Sequence, residues 1–247
     1  MKSILKLMLL SGFAFSSSVF SHDETGVQPI YSLTPVEQTA DWAVQWWKPR
    51  HQEKLEAAKN SDVELLMLGD SITHGWENGG LPVWNKYFKN SKAFNLGFSG
   101  DRTEHVLWRI ENGAFDNLSP KLTVLMIGTN NTGHRMDPAE HTAEGIKKIV
   151  SEIRSRMPES KVLLLGIFPR NLSPFNDMRK RNDHINKLIS QLDDGKHIYY
   201  LNINQIFLDD KGQVKARLMP DLLHPNQQGY EVWAEVMAPR IKQLMAD

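Results

Sequence analysis

Leu122-Thr123-Val124-Leu125-Met126-Ile127 is the stretch on which the fold turns. It is apolar on both faces but for one threonine. The run is long enough for a strand and too short for a helix that would fill a core. A strand apolar on both sides belongs in a parallel sheet covered by helices on both faces. The neighbouring sequence agrees. Pro138 to Met157 reads as a long helix, with Pro138 in its first turn and Ile146, Ile149, Val150 and Ile153 at helical spacing.

Outward from there the chain alternates. Strands are predicted at Val63–Leu68, Ala93–Leu96, Val162–Ile167 and Ile198–Leu201. Helices are predicted at Leu81–Phe88, Arg102–Glu111, Asn176–Leu192 and Asn226–Leu244. Asp41 to Asn60 also looks helical, with Pro49 expected to break or restart it. Short apolar strands alternating with helices predict an α/β fold: a three-layer α/β/α sandwich around a mainly parallel five-stranded sheet. Ligands in such folds sit at the carboxyl ends of the strands.

Lys2 and Lys6 open the chain, and an apolar stretch to Phe20 follows. Val19-Phe20-Ser21 has the form of a cleavage site, so residues 1–21 read as a signal peptide cut near Ser21. Lys6 and Ser16-Ser17-Ser18 make the stretch a poor permanent membrane span. The expected location is the periplasm or the medium. Residues 22–62 read as an irregular lead-in followed by a helix, and 63–247 as the main domain. The chain has no cysteine, which excludes disulfides, thiolate metal sites and a cysteine nucleophile. Twenty-nine basic residues balance 29 acidic ones. Without a basic block, nucleic acid is not an expected partner.

Two short segments at opposite ends carry the chemistry. Ser71 follows the first strand in Gly69-Asp70-Ser71-Ile72-Thr73, and Asp221-Leu222-Leu223-His224-Pro225 precedes the last helix. A serine hydroxyl becomes a useful nucleophile when a base takes its proton, and a carboxylate can hold a histidine in the tautomer this requires. Taken alone, Ser71 could equally cap a helix. Two further turns follow strands: Gly97-Phe98-Ser99-Gly100-Asp101 and Gly128-Thr129-Asn130-Asn131. The Asn130 amide at a strand end can donate to a developing oxyanion. Asp101 could instead be a plain helix cap. His134 and Arg135 are candidates for holding a polar leaving group. Trp76 and Phe98, with Trp84 and Phe168, are candidates for the pocket wall as well as for the core. No H-E-x-x-H pattern or carboxylate cluster stands at ligand spacing, so no metal or organic cofactor is expected.

The ordered set of serine turn, glycine turn, asparagine turn and D-x-x-H resembles the SGNH superfamily of hydrolases, also called GDSL esterases and lipases. Within it the chain resembles the α subunits of platelet-activating-factor acetylhydrolase and their bacterial relatives. The likeness is carried by Asn95 to Gly113, Val124 to Asn131 and Leu164 to Arg170. It implies the flavodoxin-like SGNH hydrolase fold over 63–247. It implies Ser71 as nucleophile, His224 as base and then acid, and Asp221 as its orienting carboxylate. It implies an oxyanion hole from the amides of Ser71 and Gly100 and the side chain of Asn130. Thr132 to Asp137 departs from the family as a longer loop beside Asn130. The resemblance to subunits that pair leaves a homodimer open.

The expected activity is that of a secreted serine esterase removing a short acyl group, acetyl foremost, from a carbohydrate or another polar alcohol. A lysophospholipase or lipid acetylhydrolase is the alternative among enzymes. An inactive glycan-binding protein is the alternative from another class.

Overall fold

The computed structural model describes residues 30–246. The expected signal peptide and the first part of the lead-in lie outside the described residues. Five strands form one parallel sheet: β1 (Leu65–Gly69), β2 (Ala93–Gly97), β3 (Leu122–Met126), β4 (Lys161–Leu165) and β5 (Ile198–Leu201). Their order is β2-β1-β3-β4-β5. Every residue of β1 and of β3 is buried, including Thr123, whose hydroxyl lies 3.0 Å from that of Ser160.

The pleat sends alternate side chains to two cores. Leu66, Leu68, Leu125, Val162 and Leu164 face one layer of helices: α1 (Trp47–Lys59), α4 (Thr103–Glu111), α6 (Ala139–Arg156) and α7 (Asp177–Ile189). Leu65, Met67, Val124, Met126, Leu163 and Leu165 face the other layer: α3 (Leu81–Tyr87) and α8 (Gln227–Ala246). This is the three-layer sandwich.

Two helices stand where turns were expected. α2 (Ser71–His74) starts directly after β1, and α5 (Thr129–Arg135) directly after β3. The expected long loop at Thr132–Asp137 is therefore mostly the second half of α5. Of the two outcomes expected of Pro49, the structure shows the restart: the helical stretch begins only at Trp47. Residues 41–46 are turns, and Pro49 lies in the first turn of α1, where a missing amide costs no hydrogen bond.

The strand order positions the site. From β1 the chain moves to β2 on one side, and from β3 it continues to β4 and β5 on the other. β1 and β3 therefore flank the switch point of the sheet, where open α/β folds leave a crevice beyond the strand ends. Ser71 follows β1, Asn130 follows β3, and Gly100 follows β2 on the near side. Gly97 lets this end close up, because a Cβ there would collide with the backbone of His74 at the end of α2.

Candidate active site

Ser71 heads α2. The preceding Asp70 caps this helix, its carboxylate accepting the Ile72 amide at 3.0 Å. Burial pushes the Asp70 carboxyl up to about 7, against the pull of that amide and of His224. Ser71 itself is half-buried.

His224 arrives from the far end of the chain. Ser71 Oγ lies 2.9 Å from His224 Nε2, and His224 Nδ1 lies 2.6 Å from Asp221 Oδ2. The other oxygen of Asp221 accepts the amides of Leu223 at 3.0 Å and His224 at 2.7 Å. Burial would raise the Asp221 carboxyl, but the His224 amide and imidazole outweigh it and hold the group below its ordinary range. Asp221 is thus an anion that fixes the imidazole with Nδ1 protonated and Nε2 free to take the serine proton.

The turn carrying this pair is braced. Leu222 has φ 61°, a left-handed conformation that costs a leucine on the order of 1 kcal/mol. Its carbonyl accepts the amide of Asn171 at 2.9 Å, which ties the turn to the loop after β4. The Tyr230 hydroxyl, in α8, donates to the Ile72 carbonyl at 2.8 Å and locks α8 onto the serine helix.

Gly100 has φ 76°, and a Cβ there would collide with the ring of Trp42. Asn130 Nδ2 donates to the Asp101 carbonyl at 3.0 Å, which leaves its second amide hydrogen unused by this bond. Asp101 does not cap α4. Its carboxylate is fully buried and accepts Trp47 Nε1 at 2.6 Å and Arg109 Nε at 2.9 Å. Burial pushes it up to about 6 against the pull of Arg109. Asn131 joins α4 to α5, accepting the Thr103 amide at 3.1 Å and donating to Asp137 at 3.1 Å.

Two candidate wall residues are corrected. Trp76 and Phe98 are 0% exposed and offer no surface to a substrate. Trp76 packs among Phe88, Tyr230 and Trp233, and Phe98 lies under the Arg109 guanidinium at 4.0 Å. Arg135 is occupied, pairing with Glu104 at 2.7 Å and Asp137 at 2.6 Å. His134 is exposed, 3.3 Å from Arg102 and edge-on to Trp42. His74 shares a 3.0 Å hydrogen bond with Ser99, and burial lowers its pKa to about 4. Two residues at this end were not among the expected site residues: Trp42 reads from sequence as packing on the body of the domain, and Arg170 only as the end of a family block. Trp42 lies against Gly100, and Arg170 donates to the Thr129 carbonyl at 2.7 Å. No local sequence signal marks Trp42. Arg170 closes the Leu164 to Arg170 block but carries no motif of its own.

Residues 67–232, which hold the whole Ser71–His224–Asp221 chain, match the family described as "GDSL-like Lipase/Acylhydrolase family". The chain belongs to that family. This GDSL hydrolase is a carboxylic ester hydrolase. It is 32% identical over 201 residues to the platelet-activating factor acetylhydrolase IB subunit alpha1 of Homo sapiens, covering 81% of this chain and 84% of that protein. The alpha2 subunit of Rattus norvegicus is 32% identical over 202 residues, covering 81% and 86%. Among solved structures, a putative acylhydrolase from Bacteroides fragilis superposes with TM-score 0.66 at 21% identity, covering 84% of this GDSL hydrolase and 100% of that chain. An acetylxylan esterase from Geobacillus stearothermophilus gives TM-score 0.59 at 18% identity, covering 74% and 96%. These structural likenesses carry the fold.

Proposed function

We propose that this GDSL hydrolase is an exported serine esterase that removes an acetyl group from a carbohydrate or another polar alcohol. The observation that carries the chemistry is the continuous hydrogen-bonded chain from Ser71 Oγ through His224 to Asp221. Ser71 Oγ attacks the ester carbonyl while its proton passes to His224 Nε2. The tetrahedral oxyanion is held by the amides of Ser71 and Gly100 and by Asn130 Nδ2. The C–O bond to the alcohol breaks as His224 returns the proton to the leaving oxygen. Water, deprotonated by His224, then cleaves the acyl-enzyme and frees the acid.

Three features support a small acyl group and a polar alcohol. The relatives at 32% identity are named acetylhydrolases, and one structural neighbour is an acetylxylan esterase. Trp42 lies against Gly100, and Arg170 bonds to the backbone at Thr129 beside Asn130, so a large side chain stands beside each of the proposed oxyanion groups. His134, Arg102 and His74 give the rim a polar character. The leader-like sequence of residues 1–21, with Lys2 and Lys6 ahead of an apolar stretch, supports export.

One observation favours a lipid ester instead. Leu172 and Phe175, 47% and 78% exposed, lie on the loop that Asn171 ties to Leu222, next to the histidine turn. Hydrolysis of p-nitrophenyl esters of increasing acyl length separates the readings, with Ser71→Ala as control. The acetyl reading expects a maximum at acetate that vanishes in the variant. A maximum at long chains moves the function to lipids. No turnover above the variant at any length contradicts both.

A further inference from the structure

The segment before α1 does more than lead into the domain. It lies ahead of the family match, which begins at residue 67. Nevertheless it delivers Trp42 to the oxyanion loop, where the ring covers the position a Gly100 side chain would take. Trp42 is 52% exposed although it is among the largest apolar side chains in the protein. A neighbouring indole, Trp46, is half-buried, with its ring centroid 6.3 Å from that of Trp42. Trp46 Nε1 donates to the Trp42 carbonyl at 3.0 Å, which fixes the turn that presents both rings.

Past Trp46 the surface opens into a groove of about 570 Å³. Its lining includes Gln45, Trp46, Glu53, His74 and Asn78. His74 ends the short helix that Ser71 begins, and its ring centroid lies 5.9 Å from that of Trp46. An aromatic surface therefore runs from the candidate oxyanion loop to a groove edged with an amide, a carboxylate, an imidazole and a second amide. The volume falls in the range of small-molecule sites.

We infer that Trp42, Trp46 and this groove form a subsite for the pyranose rings of an oligosaccharide, extending from the ester-cleaving centre. The inference rests on the carbohydrate-ester reading above. A pyranose ring has an apolar C–H face and a rim of hydroxyls. A flat indole matches the face, while amide and carboxylate groups match the rim; large rigid aromatics give contact area at little entropic cost. An acyl chain would use the indoles but gain nothing from the groove's exposed polar groups, which sugar hydroxyls can pair with. The polar lining thus favours sugar over lipid.

The test compares wild type, Trp42→Ala and Trp42→Phe on acetylated xylo-oligosaccharides and on p-nitrophenyl acetate. The subsite predicts that Trp42→Ala lowers kcat/KM for the oligosaccharide about tenfold more than for p-nitrophenyl acetate, with the difference in KM. Trp42→Phe recovers most of it. Equal losses on the two substrates overturn the inference, because Trp42 then only supports the Gly100 loop. A selective loss on long-chain esters overturns it in favour of an acyl site. Should the wild type cleave p-nitrophenyl acetate but no acetylated sugar, the substrate reading fails separately. The subsite is then decided by calorimetric titration of Ser71→Ala with deacetylated xylo-oligosaccharides, where saturable binding weakened by Trp42→Ala sustains it and absence of binding overturns it.

Discussion

Asn130 donates its side-chain amide to the main-chain carbonyl of Asp101 at 3.0 Å. This bond joins the turn after β2 to the helix after β3, across the end of β1 where Ser71 stands. One hydrogen of the amide fixes the rotamer and leaves the other to aim at substrate. The same bond ties Asn130 to the turn whose Gly100 amide is the other proposed oxyanion donor. Asp101 is itself clamped by Trp47 and Arg109, so both donors are set by buried groups before substrate arrives. Such preorganisation is what makes an oxyanion hole effective.

Asn130→Ala should therefore lower kcat for an acetyl ester about a hundredfold or more while KM changes little, since the lost bond matters mainly in the transition state. Steady-state kinetics on p-nitrophenyl acetate reads this. A change confined to KM would mean that Asn130 binds ground-state substrate instead.

Asp221→Asn should lower kcat by several powers of ten, with the melting temperature nearly unchanged. The carboxylate is substantially exposed, so the pair adds little to stability, but an amide in its place favours the wrong tautomer of His224. Kinetics and a thermal melt on the same preparation check both halves. Wild-type turnover would mean that His224 is oriented by another group.

Asp70 predicts a pH dependence of stability. Its folded-state pKa is raised from 3.8 to about 7, so the folded protein binds this proton more tightly than the unfolded chain. Its contribution is therefore fully present below about pH 4 and is lost as pH rises to about 7. Asp70→Asn keeps a capping oxygen for Ile72 but cannot ionise. The variant should melt near the wild type at pH 4 and several degrees above it at pH 8. A difference that does not vary with pH would show that the Asp70 carboxyl is not held protonated by burial.

Trp76→Ala should act on stability rather than on specificity. The side chain is fully buried against Phe88, Tyr230 and Trp233, and truncating such a residue costs about 3–5 kcal/mol. Chemical denaturation reads the loss. A stable variant with an altered acyl-length preference would return Trp76 to the pocket wall.

The layered fold was legible because its signals are local and periodic. The run at Leu122–Ile127 and the spacing of Ile146, Ile149, Val150 and Ile153 each report burial directly, and both elements formed where expected. The helix α5 was not legible. Thr129-Asn130-Asn131-Thr132-Gly133 is a poor helix former, and its conformation is stabilised by tertiary bonds from Asn130 to Asp101 and from Asn131 to Thr103 and Asp137. Pro49 marked the start of the helix, but residues 41–46 ahead of it are turns and not the helix expected from Asp41. At the site, Ser71, Asp221 and His224 stood out because their chemistry is rare in that order. Trp76 and Phe98 did not separate from wall residues, because an aromatic beside a motif looks the same whether it faces solvent or core. The contact of Trp42 with Gly100 joins residues far apart in sequence and leaves no local trace.

The central claim is that Ser71 is a nucleophile activated by His224. Its most direct test is intact-protein mass spectrometry after incubation with diethyl p-nitrophenyl phosphate, a reagent that phosphorylates an activated serine. The account predicts a single diethylphosphoryl adduct mapping to Ser71, absent from Ser71→Ala and strongly slowed in His224→Ala. An adduct on another residue, or labelling of Ser71 at the same rate without His224, would contradict it.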